Sequence, residues 1–140
     1  GVDSHLMWLW GAAALAWSAA LTYFDLTRLR LPDWLTLPGA VVTFVACVAH
    51  PVGLWGFLWP SLYLVAGSGM GGGDVKLAVP LGIACALLAG VGGVFAAILA
   101  ASLFTLVAAA VTRRRGLAHG PSMLAAAWLV GLYALAQGDL

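Results

Sequence analysis

Residues 67–76 read Gly-Ser-Gly-Met-Gly-Gly-Gly-Asp-Val-Lys, a segment in which five of the first seven residues are glycine. Glycine has no Cβ, so such a segment bends sharply and approaches other groups closely. It delivers one carboxylate, Asp74, to the start of an almost wholly apolar run over 75–89. Ionisable groups at membrane segments are costly and usually functional. The pattern predicts a chemical role for Asp74; a plain linker is the alternative.

The composition is that of an integral membrane protein. Of 140 residues, 64% are hydrophobic and 8% are charged, and the mean hydropathy is +1.05, which excludes an ordinary soluble domain. A net charge of +1 gives no indication of a nucleic-acid partner. Cys47 and Cys85 lie in separate apolar runs without a CxxC pair, so we expect packing thiols, no metal site and no cofactor.

The apolar runs predict the fold. They cover 6–24, 35–49, 52–66, 75–89, 94–112 and 121–137. This pattern predicts an all-α polytopic bundle of six transmembrane helices, with the glycine-rich loop before the fourth. Runs near 15 residues reach only about 22 Å, against a hydrocarbon core of about 30 Å. We expect residues 1–6 to be a remnant of expression, which removes Asp3 and His5 from the functional argument, and 7–140 to form one domain.

The basic residues predict the orientation. All six fall in the odd-numbered connections between the runs or, for Lys76, at the second residue of the run that follows: Arg28, Arg30, Lys76, Arg113, Arg114 and Arg115. Lysine and arginine concentrate in cytoplasmic loops. Both termini are therefore expected outside the cell, and the three basic connections in the cytoplasm.

Asp25 follows the first run and Asp74 precedes the fourth, so this topology places both carboxylates at the cytoplasmic face. Two neighbouring carboxylates share a proton near neutrality, because both cannot ionise cheaply. Such a pair activates water in aspartic proteases. The alternative is structural: Asp25 pairs with Arg28, and Asp74 caps the fourth helix, whose dipole favours an anion.

Three motifs resemble those of the prepilin peptidases, which are GxGD-type intramembrane aspartic proteases. The segment 71–76, Gly-Gly-Gly-Asp-Val-Lys, is similar to the family's GxGD-V-K motif. A second group is similar to the family's first-aspartate motif: Asp25, Arg28, Leu31-Pro32 and Trp34. A third, weaker signature near the sixth run is Gly120-Pro121. The resemblance covers nearly the whole chain.

The resemblance implies a membrane-embedded aspartic endopeptidase. It would cleave the short basic leader from type IV prepilin-like precursors at the cytoplasmic face of the cell membrane, in contact with the lipid bilayer. Asp25 and Asp74 would be the catalytic pair, and Gly71 and Gly73 would shape the backbone that presents Asp74. Four further residues are possible supports: Arg28, Pro32, Asp33 and Lys76. The individual substrate and the oligomeric state stay open.

The chain departs from the family pattern at two positions. Asp33 stands where asparagine is commonest, so it competes with Asp25 as the partner of Asp74; we prefer Asp25, since Asp33 lies past Pro32 and could simply cap the second helix. His119 stands where an aromatic residue is usual. It is a conceivable general base, but we expect an interfacial residue. Lys76 is expected to pair with a carboxylate or a lipid phosphate.

Larger members of the family add a tetracysteine segment and methylate the new pilin amino terminus. No segment of this sequence matches the tetracysteine pattern, so we expect the compact peptidase and leave methylation open.

The competing function is a non-enzymatic one, an ion-binding transporter subunit or a membrane scaffold. Transporters commonly carry an internal repeat and polar groups at mid-membrane, whereas polar residues here crowd one face. Ser68 would suit a serine protease, but no histidine within an apolar run is available to activate it.

Overall fold

The computed structural model describes residues 4–28, 31–66, 72–112 and 119–137. The described chain folds into helices, which confirms the predicted all-α class. They are α1 (Ser4–Arg28), α2 (Asp33–Ala49), a 3₁₀ helix (Pro51–Phe57), α3 (Leu58–Ala66), α4 (Gly72–Thr112) and α5 (Gly120–Ala136). The starts of α2, the 3₁₀ helix and α5 coincide with prolines, which lack the backbone N–H and suit a first turn.

Helix α4 is broken at Gly90, where φ is 71° and ψ is −170°. A positive φ is a conformation that other residues rarely adopt. The connection between the fourth and fifth predicted runs, residues 90–93, is thus mostly helical, because helical structure resumes at Val91. The two parts of α4 cover the fourth and fifth predicted runs.

The third predicted run is α-helical only in its second half, since residues 51–57 form a 3₁₀ helix. Here Gly56 lies against α4 so closely that a Cβ on Gly56 would overlap the backbone of Ile83, and a Cβ on Gly82 would overlap the carbonyl oxygen of Gly56. A 3₁₀ helix is narrower than an α-helix. Its tighter winding suits this close approach of two backbones.

Helix α4 forms the centre of the molecule. It contacts α2, the 3₁₀ helix, α3 and α5, while α1 packs on α5. The largest fully buried side chains include Trp59, Leu77, Ile83 and Met123. As predicted, the free thiols Cys47 and Cys85 are buried packing groups. Two indole hydrogen bonds hold α1 in place: Trp17 Nε1 donates to the Leu35 carbonyl (2.6 Å) and Trp128 Nε1 donates to Ser18 Oγ (2.9 Å).

The outer surface is rich in large apolar side chains. Val65 and Val48 are 87% and 83% exposed, and Trp8 is 79% exposed. Soluble monomers rarely expose contiguous apolar surface of this kind. In the described part of the chain, one helical stretch, Asp74–Thr112, is long and apolar enough to cross a membrane, and it contains the break at Gly90. These features indicate a membrane protein.

Candidate active site

Asp25 lies inside α1, in its last turn, and not after the helix as the sequence suggested. The helix continues to Arg28 because no proline or glycine interrupts it before that residue. Asp25 is only 5% exposed. Arg28, the suggested partner of Asp25, lies over the Phe24 ring instead. Its guanidinium carbon is 5.4 Å from the centre of that ring.

The Asp25 carboxylate is held by the start of α5. The backbone N–H of Gly120 donates to Asp25 Oδ2 at 2.9 Å. A Cβ on Gly120 would overlap that same oxygen, so the contact requires glycine. Pro121 follows in the first turn of α5. The Gly120-Pro121 pair thus forms a helix N-terminus whose free amide binds an acid.

Burial raises the pKa of Asp25, and the Gly120 hydrogen bond partly offsets this effect. Asp25 lies beyond the apolar run over 6–24, at the edge of the predicted membrane segment. A carboxylate that accepts a backbone N–H is stabilised in its ionised form. Asp25 therefore combines a buried position with a fixed donor for its negative charge.

Asp74 lies in the first turn of α4, which begins at Gly72, ahead of the apolar run that starts at Val75. Burial and, as the smaller cause, the charge of Asp25 together raise its pKa to about 6. Gly73 is part of this helix instead of the preceding loop. Gly71 lies outside the described residues, as does Ser68.

Three of the possible supporting residues line one pocket of about 490 Å³ beside α1 and α2. Its walls are Phe24, Arg28, Pro32, Asp33 and Trp34. Lys76 reaches Asp33 from α4, with 2.6 Å between Nζ and Asp33 Oδ1. This pair settles the partner of Lys76 as a carboxylate. Asp33 is not a cap, because Pro32 occupies the N-cap position of α2.

His119, expected to be an interfacial residue, has specific partners inside the fold. It is half-buried, and both ring nitrogens have hydroxyl partners: Nε2 lies 2.6 Å from Tyr63 Oη, and Nδ1 lies 2.7 Å from Thr105 Oγ1. Burial lowers the pKa of His119, which favours the neutral ring. A neutral imidazole donates from one nitrogen and accepts at the other. Neither nitrogen is left to activate water, so the general-base role is not favoured.

Sequence reasoning missed Tyr63 and Thr105. Each lies in an apolar run without any motif around it, so only the three-dimensional fold reveals their contact with His119. The described residues contain no group of three or more His, Cys, Asp or Glu side chains that could hold a metal ion.

Comparisons with known proteins agree with the motifs. Residues 12–110 match the "Type IV leader peptidase family". The chain is 31% identical to a prepilin leader peptidase/N-methyltransferase of Neisseria gonorrhoeae over 145 residues, which cover 88% of this chain and 49% of the relative. It is 36% identical to the protein of the same name from Aeromonas hydrophila over 92 residues, covering 52% of this chain and 32% of the relative.

The chain thus aligns with about a third to a half of the length of these relatives. No solved structure matches it significantly. The family match spans most of the sequence and includes Asp25 and Asp74. The chain belongs to the Type IV leader peptidase family.

Proposed function

We propose that this chain is a membrane-embedded aspartic endopeptidase that removes the short basic leader from type IV prepilin-like precursors. The observation that carries the proposal is geometric: the Gly120 N–H at the start of α5 holds the buried Asp25 carboxylate at 2.9 Å, where its charge acts on Asp74 of a different helix. The family supports the reaction, and the relatives named above are prepilin leader peptidases. Prepilin-like precursors are the proposed substrates.

The two carboxyls have different roles in this mechanism. Asp25 is the base, since the Gly120 amide favours its ionised form, and Asp74 is the acid, since burial and the nearby charge favour its protonated form. Asp25 takes a proton from water while the oxygen attacks the scissile carbonyl carbon, and Asp74 gives its proton to the carbonyl oxygen. A tetrahedral diol results.

Collapse of the diol restores both groups. The C–N bond breaks as Asp25 passes its proton to the leaving nitrogen, and Asp74 recovers a proton from one diol hydroxyl as the new acid forms. One water is consumed, and each carboxyl returns to its starting state. The cycle therefore needs the two groups as a unit, with one proton between them.

The proposed orientation has six membrane spans, with the site at the cytoplasmic face and both termini outside. Six helical segments within the described residues support it, because the break at Gly90 divides α4 and the 3₁₀ helix joins α3. Asp25 and Asp74 lie at the ends of their apolar runs that carry basic residues. The pocket beside Phe24 and Trp34 is the proposed entry for the substrate.

The test is cleavage of a synthetic prepilin by purified protein. We expect Asp25→Asn and Asp74→Asn to fold and to lose turnover by about 100- to 10,000-fold each, because an amide can neither accept the water proton nor supply the acid. Asp33→Asn is the matched control. Asparagine keeps the side-chain shape at the pocket wall and should change kcat little, because Asp33 pairs with Lys76 at the surface and takes no part in the proton transfers.

Loss of turnover in Asp33→Asn with near-normal activity in Asp25→Asn would assign the base to Asp33 instead. Full activity in all three variants would remove the protease mechanism. An ion-binding role for Asp25 and Asp74 would then be the better account.

A further inference from the structure

The His119 side chain connects three helices around the candidate dyad. Tyr63 comes from α3 and Thr105 from the second part of α4, while His119 itself immediately precedes α5. The His119 ring also contacts the Tyr63 ring, with 5.6 Å between the ring centres. Tyr63 is only 4% exposed. Two hydrogen bonds and this ring contact fix the position of the His119 side chain.

The peptide unit between His119 and Gly120 transmits that position to Asp25. Its carbonyl oxygen accepts the N–H of Met123 at 3.1 Å, and its N–H donates to Asp25 Oδ2. A trans peptide is planar, so its C=O and N–H point in opposite directions. Fixing His119 on one side therefore sets the direction in which the Gly120 amide meets the carboxylate.

We propose that His119 is a positioning residue, which acts through Tyr63 and Thr105 to hold the Gly120 amide against the catalytic base Asp25. This inference rests on the proposed function. His119 does not touch the reacting atoms in this role. It secures the donor that stabilises the charge on Asp25.

Other ionisable groups lie near Asp25. Its charge acts on Asp74 of α4, the Tyr63 hydroxyl of α3 interacts with Asp74, and Arg28 lies over Phe24 on α1 itself. Lys76 and Asp33 are paired with each other at the surface. Replacing Thr105 removes no ionisable group, so its effect on the pH profile can be read through Asp25, whereas replacing Tyr63 also removes a hydroxyl that interacts with Asp74.

The experiment removes the two hydroxyl partners separately. Tyr63→Phe and Thr105→Val keep the side-chain volume and delete one hydrogen bond each. We expect each to lower kcat about tenfold, because a buried ring nitrogen is left unpaired and the amide loses its alignment. KM should stay within about twofold, and the acidic limb of the pH profile should move to higher pH, because the Asp25 carboxylate is less well stabilised.

Matched controls are Tyr133→Phe and Thr43→Val. Tyr133 is exposed on α5, and the Thr43 hydroxyl bonds carbonyls of its own helix. Both should keep the wild-type kcat and pH profile. A cycle with His119→Phe completes the design: in that background Tyr63→Phe should cause no further loss, since its partner is already absent.

Melting temperatures in detergent identify variants that fail to fold, and Thr105→Val still tests the inference if Tyr63→Phe is one of them. Wild-type kcat and an unshifted pH profile in both folded variants would overturn the positioning role. The dyad would survive that result as long as Asp25→Asn and Asp74→Asn stay inactive. A lack of prepilin cleavage by the wild type would instead overturn the proposed function, and the inference with it.

Discussion

Asp25 and Asp74 have the same side chain but different surroundings. The Gly120 amide donates to Asp25, whereas Asp74 occupies a partly buried position in which the charge of Asp25 opposes its ionisation. Environments that separate two pKa values assign acid and base roles to chemically equal groups. One backbone contact made by a third helix, α5, contributes to this asymmetry together with the burial of Asp74.

The pH dependence of cleavage follows from this asymmetry. Turnover requires Asp74 in its protonated form, and its pKa is raised to about 6. We expect kcat/KM to fall as the pH rises through about 6, because Asp74 loses its proton, and to fall again at low pH, because Asp25 gains one. A pH–rate profile of the purified enzyme on synthetic prepilin measures both limbs.

Asp33→Asn is the control for this profile and should leave its shape unchanged, since Asp33 is paired with Lys76 outside the dyad. A rate that climbs steadily between about pH 6 and pH 8 would contradict the assignment of Asp74 as the acid, because the protonated fraction of that group falls across this range.

The sequence identified Asp25 and Asp74 because acids are scarce and both lie beside recognisable motifs. It also flagged Gly120-Pro121, although only as a weak signature. It could not identify Tyr63 and Thr105, which approach His119 from positions 56 and 14 residues away along the chain. Such contacts depend on how helices pack, and apolar periodicity does not determine which hydroxyl meets which ring.

Helix boundaries were more predictable than helix type. Pro32, Pro51 and Pro121 mark the starts of elements, as expected from their missing N–H. The 3₁₀ conformation of 51–57 was not predicted, because its cause is a contact with α4: Gly56 meets Gly82 and Ile83 backbone to backbone. The sequence around Gly56 does not indicate that Gly82 and Ile83 are its partners.

Gly56→Ala should therefore destabilise the fold. The added Cβ would overlap the backbone of Ile83, which cannot move aside as a side-chain tip can. Overpacking of this kind costs about 1–3 kcal/mol. Thermal unfolding in detergent gives the measurement, and Gly92→Ala is the control, since its Cβ meets nothing within 4 Å. Equal melting temperatures for the two variants would show that α4 and the 3₁₀ helix separate without cost.

In the whole molecule, large apolar side chains lie along the outside of the helices, whereas the basic residues lie near the connections between the apolar runs. Large apolar side chains are exposed along the outside of the helices, as with Val48 and Val65, which suits lipid as the surrounding medium. The basic residues fall in the first, third and fifth connections between the apolar runs or, for Lys76, two residues beyond the third. The same three connections adjoin Asp25, Asp74 and Gly120. The proposed orientation therefore decides on which face of the membrane the proposed site lies.

Cysteine labelling in intact cells tests that orientation. In a protein with Cys47 and Cys85 replaced by alanine, we expect Arg114→Cys to react with a membrane-impermeant thiol reagent only after the cells are permeabilised, because basic connections stay in the cytoplasm. His50→Cys is the matched control. His50 is exposed between α2 and the 3₁₀ helix, in a connection predicted outside, so it should react in intact cells. Reaction of Arg114→Cys from outside would invert the orientation and put Asp25, Asp74 and the Gly120 amide on the face opposite to a cytoplasmic substrate leader.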